Sequence, residues 1–339
     1  MMRLTQFLAT SVAASAIAGG AWAGDKEIPR QVSFGGSCVK CELSGRDLSG
    51  ARIIGADFSY STLIGAILRD ARFQASSFVG ADLTKADLSD ASMTGANFSG
   101  SNLTSARLRS TEANGVVFNS ANLTRADLSN LEATGSSFVR AILTGSVLKS
   151  ATLRGVQFES ADLNRAVLTD IEATGANFGR ARMNGATFKS ADLKGANFGR
   201  VAANSATFQD ADMTGANLSG GDFSHASFRS TDLTGANLSG AAFGGADFRD
   251  ADLSHTVLSG VDLSGSRGLT QDQIDEACAD SRTKLPHRLT ARGCVRNARW
   301  ITRHDPSPRP RIRMVPAVPA ARAPPVPPTT PRYVVSIHP

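Results

Sequence analysis

The chain has 339 residues, 41% of them hydrophobic, with 32 Gly and 17 Phe but only 2 Trp and 2 Tyr. Residues 31–285 contain no proline, and 11 of the 13 prolines fall between Pro306 and Pro339, which excludes an ordinary set of globular domains with prolines spread along the chain. The net charge of +6 is equally uneven: residues 295–339 hold eight Arg and one Asp, so everything upstream sums to about −1 and gives no ground for nucleic-acid binding by the body.

Residues 1–23 read as a secretory signal peptide. Arg3 supplies the positive start, Leu4 to Gly20 is apolar and small, and Ala21-Trp22-Ala23 matches the A-x-A cleavage pattern. The polar Thr5, Gln6, Thr10, Ser11 and Ser15 leave no 18-residue apolar run for a transmembrane anchor. The expected location is therefore exported, periplasmic or secreted. Residues 24–40 form a lead-in or N-terminal cap.

The body, 41–265, is one repeat. The 45 residues numbered 43 to 263 in steps of five are 22 Leu, 15 Phe, 3 Met, Ile53 and four Ala (Ala113, Ala133, Ala173, Ala203). None is polar. A small residue stands two before most of them, as in Ala81-Asp82-Leu83-Thr84-Lys85. A period of five fits neither the 3.6 of a helix nor the 2 of a strand, but it fits a solenoid with a corner every five residues and two of each five side chains inward.

In these A-(D/N)-(L/F)-x-x units, from about Cys41 to Gly265, the sequence resembles the pentapeptide-repeat family. The resemblance implies an all-β fold, a right-handed quadrilateral β-helix with four pentapeptides per coil. Independently, Phe58, Phe78, Phe98, Phe118, Phe138, Phe158, Phe178 and Phe198 recur every 20 residues, and Leu218, Leu238 and Leu258 continue the column. This predicts an interior aromatic ladder on one wall. The 45 units make about 11 coils, a rod roughly 50 Å long at ~4.8 Å per coil. All four central alanines have a branched residue two before them (Thr111, Leu131, Ile171, Val201), the exchange of large for small that a close-packed interior demands.

Two outward columns stand out. Arg69, Arg109, Lys149, Lys189 and Arg229 recur every 40 residues, on alternate coils of one wall, and form a possible outward basic stripe. Its wall also carries Asp70, Asp87, Asp90, Asp127, Asp170, Asp210 and Asp250, which favours a solvated, ion-paired surface. Another column holds Thr84, Thr104, Thr124 and Thr144, then Asn164, Asn184 and Asn204, which predicts stacked side-chain hydrogen bonds. His225 and His255 lie one and a half coils apart and do not make a ligand pair.

Residues 266–294 predict a helical C-terminal cap. Thr270 is placed as N-cap with Gln273 at N3, Leu269 and Ile274 are placed for a hydrophobic staple, and a short helix is expected from about Gln271 to Ala279. Four cysteines flank the rod: Cys38, Cys41, Cys278 and Cys294. A four-thiolate zinc site would need two pairs about 50 Å apart to meet, whereas two local disulfides, Cys38–Cys41 and Cys278–Cys294, suit an exported protein. Residues 295–339 read as a disordered Pro/Arg-rich tail.

These readings converge on a non-enzymatic exported scaffold that presents a rigid solenoid surface to an unknown protein or acidic envelope component. No catalytic, metal or cofactor residue is singled out, no nucleic acid or transmembrane anchor is expected, and the protein is a monomer or an end-to-end dimer. The resemblance implies an alternative, mimicry of duplex DNA towards a type II topoisomerase, but residues 43–265 carry 22 acidic and 19 basic side chains where about 30 net charges would be needed. A weak thiol-redox role through Cys38 and Cys41 is the third reading.

Overall fold

A computed structural model describes residues 36–291. The signal segment, most of the lead-in, Cys294 and the Pro/Arg-rich tail lie outside the described residues. Residues 37–267 wind as a β-solenoid in which each pentapeptide makes one parallel bridge to the pentapeptide 20 residues on, from Ser37↔Asp57 to Asp247↔Arg267. Four pentapeptides therefore complete one coil. No run among the described residues extends into a strand; the β-structure is a lattice of single-residue bridges separated by turns.

Each corner is a β-turn. At most corners the N–H two residues before a central residue donates to the central carbonyl of the preceding pentapeptide, as Cys41 does to Cys38 at 3.2 Å and Ser61 to Phe58 at 3.1 Å. Every residue from Lys40 to Gly260 whose number ends in 0 or 5 has a positive φ, the signature of the third position of a type II turn. Glycine meets that need at many corners, but Lys85, Arg140, Ser150 and others accept it too.

The motif's Asp or Asn has a local task. The N–H two residues after it has no bond to the adjacent coil, so the side chain accepts it: Thr84 N–H donates to Asp82 Oδ1 at 2.9 Å, and Ser99 N–H to Asn97 Oδ1 at 2.9 Å. Ser or Thr at the same position adds a hydroxyl bond to that oxygen, 2.5 Å for Thr84.

The core is the solenoid's interior. All central residues from Leu43 to Leu263 are buried, as are all residues two before them from Ala51 to Val261. Thr111, Leu131, Ile171 and Val201 are buried beside Ala113, Ala133, Ala173 and Ala203. Buried hydroxyls are partnered: Thr231 Oγ1 donates to the Phe208 carbonyl at 2.8 Å and Ser136 Oγ to the Ala113 carbonyl at 2.6 Å. At Gly221 a Cβ would lie 2.6 Å from the Phe223 ring, so the glycine yields its volume to a phenylalanine.

Helix α1 spans Gln271–Glu276. Thr270 and Gln273 form the reciprocal capping box, Ile274 is fully buried, and Leu269 packs against the core cluster. The helix ends three residues short of the expected Ala279. The reason lies beyond it, where Cys278 bridges Val257 and Lys284 bridges Asp262, so the chain returns to solenoid pairing. Gln273 Nε2 donates to the carbonyls of Ala251 at 2.7 Å and Phe248 at 3.1 Å, which seats the helix on a late coil.

Candidate interaction surfaces

Interior residues set where outward ones point. Phe58 to Phe198 stack in one column with centroids 4.7–5.3 Å apart. Sequence reasoning missed a second ladder, Phe188, Phe208, Phe228 and Phe248, with 5.1 Å between successive rings, and a third pair, Phe223–Phe243, at 5.4 Å. The two ladders overlap from Phe188 to Phe198, and the Phe223–Phe243 pair enters a third column once the first has changed to Leu218, which keeps each coil filled.

The basic stripe is not uniform. Arg69 pairs with Asp87 at 2.7 Å and Arg109 with Asp127 at 3.7 Å, each one coil on. Lys149 and Lys189 make no ion pair among the described residues, because Val167 and Thr207 hold the corresponding places. Arg229 acts on Asp247, whose direct partner is Arg249. Burial pushes the Asp87 carboxyl up, but its bonds to Ser89 and Arg69 outweigh that and leave it below the ordinary value. Two of the five stripe cations are thus neutralised by direct ion pairs.

The Thr column differs from expectation. Thr104 and Thr124 donate their hydroxyls to Asn102 and Asn122, two residues earlier, rather than along the rod. Coil-to-coil bonds occur at both ends of that column: Asn102 Nδ2 donates to Thr84 Oγ1 at 2.8 Å, and Asn184 and Asn204 N–H groups donate to Asn164 and Asn184 Oδ1 at 2.8 and 2.9 Å. The continuous amide ladder lies on another wall. Asn177 Nδ2 donates to Gln157 Oε1 at 3.1 Å, Asn197 to Asn177 at 2.8 Å, and Asn217 to Asn197 at 2.9 Å. Beside it a shallow depression of about 280 Å³ is lined by Glu159, Arg180 and Arg200.

A column of acidic bridge residues also escaped the sequence reading: Glu112 stacks on Glu132, and Asp192, Asp212, Asp232 and Asp252 follow in register. Lys194 offsets part of it, at 3.3 Å from Asp192 and 2.7 Å from Asp212. Among the described residues, the exposed large apolar side chains Val39, Ile54, Tyr60, Ile64 and Ile67 all belong to the first coils, and Ile142 alone lies elsewhere.

At the start of the rod, Cys38 and Cys41 are paired across a turn, Cα atoms 5.4 Å apart, and pack against the core. Cys38 continues the Phe58 column. Cys278 is also disulfide-bonded. Among the described residues no group of His, Cys, Asp and Glu could hold a metal ion, and no helix is long and apolar enough to cross a membrane. His225 and His255 both sit at turn corners with positive φ.

Comparison with known proteins agrees with the geometry. The pentapeptide-repeat signature matches in 8 copies over residues 37–74, 66–104, 101–138, 134–170 and 161–200, and a second, the pentapeptide repeat region, matches 181–258. No curated protein matches. Among solved structures, similarity extends to HetL, a pentapeptide repeat protein involved in heterocyst differentiation regulation in the cyanobacterium Nostoc, at 30% identity over 76% of this chain and 97% of that one, with a TM-score of 0.30. A pentapeptide repeat protein of the Arabidopsis thaliana thylakoid lumen is 28% identical over 36% of this chain and 80% of its own (TM-score 0.19). QnrB1, a plasmid-mediated fluoroquinolone resistance protein, is 24% identical over 44% and 90% (TM-score 0.21). With the repeat signature spanning most of the chain and one 20-residue coil running through it, this chain belongs to the pentapeptide-repeat family.

Proposed function

We propose that the protein is a non-enzymatic scaffold, exported to the periplasm or secreted, whose right-handed solenoid presents fixed outer walls to a protein or acidic envelope partner. Pentapeptide-repeat proteins are typically structural and interaction proteins, which supports the first half of this reading. The observation that carries it is the division of labour within each pentapeptide. Two side chains are spent on a filled interior, and the remainder form outward columns at regular spacing. Such a surface recognises by display. In an oxidising compartment the Cys38–Cys41 pair and the bond at Cys278 would fasten both ends of the rod, with helix α1 closing the C-terminal one. A DNA mimic would need close to an order of magnitude more net negative charge than the rod carries.

The test is crosslinking and capture from envelope fractions, comparing the full chain with one that ends near Leu285. Capture that survives truncation places recognition on the rod. Capture lost with the tail assigns it to the Arg/Pro segment and defeats the reading. An insulin-reduction assay on wild type and Cys38→Ser checks the thiol-redox alternative, which requires activity that the substitution removes.

A further inference from the structure

The depression beside the amide ladder combines small residues, amide donors and arginines on one wall. Gly179 and Gly199 occupy the fourth position of successive coils on one wall and lie outside the left-handed φ region, so their backbone does not demand glycine. A Cβ at either would stand 3.1 Å from an Asn Oδ1 and 3.2–3.3 Å from the next Asn Nδ2. Glycine costs backbone entropy, and here the close approach of the Asn amides selects it. Here it leaves the Asn amides uncovered, in a notch bounded by Glu159 on one side and Ser219 on the other.

The hydrogen-bond inventory of that floor is one-sided. Asn177 Oδ1 accepts from Gly179 N–H at 3.0 Å and from Asn197 Nδ2 at 2.8 Å. Asn197 Oδ1 accepts from Gly199 N–H at 3.0 Å and from Asn217 Nδ2 at 2.9 Å. The backbone donors identify these atoms as oxygens, so both amide oxygens are fully used. Each Nδ2 still keeps one N–H. The floor therefore offers spare donors and no spare acceptors.

The rim has the matching charge. Arg180 and Arg200 stand at the same corner of consecutive coils, one coil spacing of ~4.8 Å apart along the axis. Arg180 faces Glu159 at 3.6 Å, whereas Arg200 has no ion pair among the described residues. Like charges in register repel one another, and an anion between them relieves that.

We propose that this notch binds an acidic polysaccharide strand lying along the rod, with uronate-type carboxylates at Arg180 and Arg200 and sugar oxygens accepting from the Asn ladder. The ladder from Gln157 to Asn217 repeats donors at coil spacing, which suits a repeating polymer. The lining residues include no aromatic platform on which nucleic-acid bases could stack. This deepens the envelope-polymer arm of the proposed function; if it fails, the protein-binding arm still stands or falls on the capture experiment.

The test is titration of the full-length protein with a polygalacturonate oligomer, alongside neutral dextran and a polyglutamate peptide. Three chains are compared: wild type, Arg180→Gln/Arg200→Gln, and Lys149→Gln/Lys189→Gln, which removes equal charge from another wall. The tail is common to all three, so its contribution cancels. Thermal melts confirm that these exposed substitutions leave the fold intact. Loss of charge-assisted hydrogen bonds should weaken polygalacturonate binding about tenfold or more in the notch variant. The lysine variant should stay near wild type, and dextran should bind none of them. Equal losses in both variants, or no loss in the notch variant, overturn the proposal. Polyglutamate binding as tight as polygalacturonate also overturns it, in favour of an acidic protein segment.

Discussion

At the scale of single residues, the interior is governed by volume. Ala133 and Leu131 are both fully buried and have exchanged the usual large and small places. Ala133→Leu should therefore overpack the coil and cost about 1–3 kcal/mol, by the usual penalty for added methylenes in a filled core. Adding Leu131→Ala should recover most of that loss in urea or thermal unfolding. A neutral single variant would show that the two columns do not share one space. Gly221, whose absent side chain admits Phe223, follows the same rule. Both exchanges are visible in the sequence as departures from A-x-L. The bonding role of the Asp or Asn is less visible, because the N–H it accepts is identified only when the turn geometry is known.

At the scale of elements, the coil was readable and its decoration was not. Four pentapeptides per coil was implied by the family resemblance, and the 20-residue recurrence of the Phe58 column supported it independently. The second aromatic ladder, Phe188 to Phe248, was overlooked because it begins where the first column is still running. The amide ladder from Gln157 to Asn217 was missed because Asn, Gln and Asp are interchangeable as turn acceptors, and only the folded coil decides which amides touch. At helix α1 the capping box was legible from Thr270 and Gln273, but the helix's end was not, since the bridge between Cys278 and Val257 is a tertiary event. Gln273 joins two tasks, the cap and the anchor to Phe248 and Ala251. Thr270→Ala should cost about 1 kcal/mol, as N-cap removal does. Gln273→Ala should cost more, and calorimetric melts of the two variants make the comparison. Equal losses would mean that the anchor adds nothing.

At the scale of the rod, one filled interior from Leu43 to Leu263 holds every outward column in place, and the walls are legible as charge patterns only after four columns per coil are assigned. The apolar Ile54, Tyr60, Ile64 and Ile67 gather in the first coils, while the acidic bridge residues run from Glu112 to Asp252. Different stretches of the rod thus offer different chemistry on a common frame. That frame is the central claim, and hydrogen–deuterium exchange on the intact chain tests it most directly. Between residues 43 and 263, backbone carbonyls take most N–H groups except those of residues whose numbers end in 4 or 9, which turn to side chains or solvent. The fold predicts exchange with a period of five, fast at those positions and slow at the rest, with continuous protection from about residue 61 to residue 258. Uniformly fast exchange, or protection broken into independently opening segments, would contradict a single rigid display.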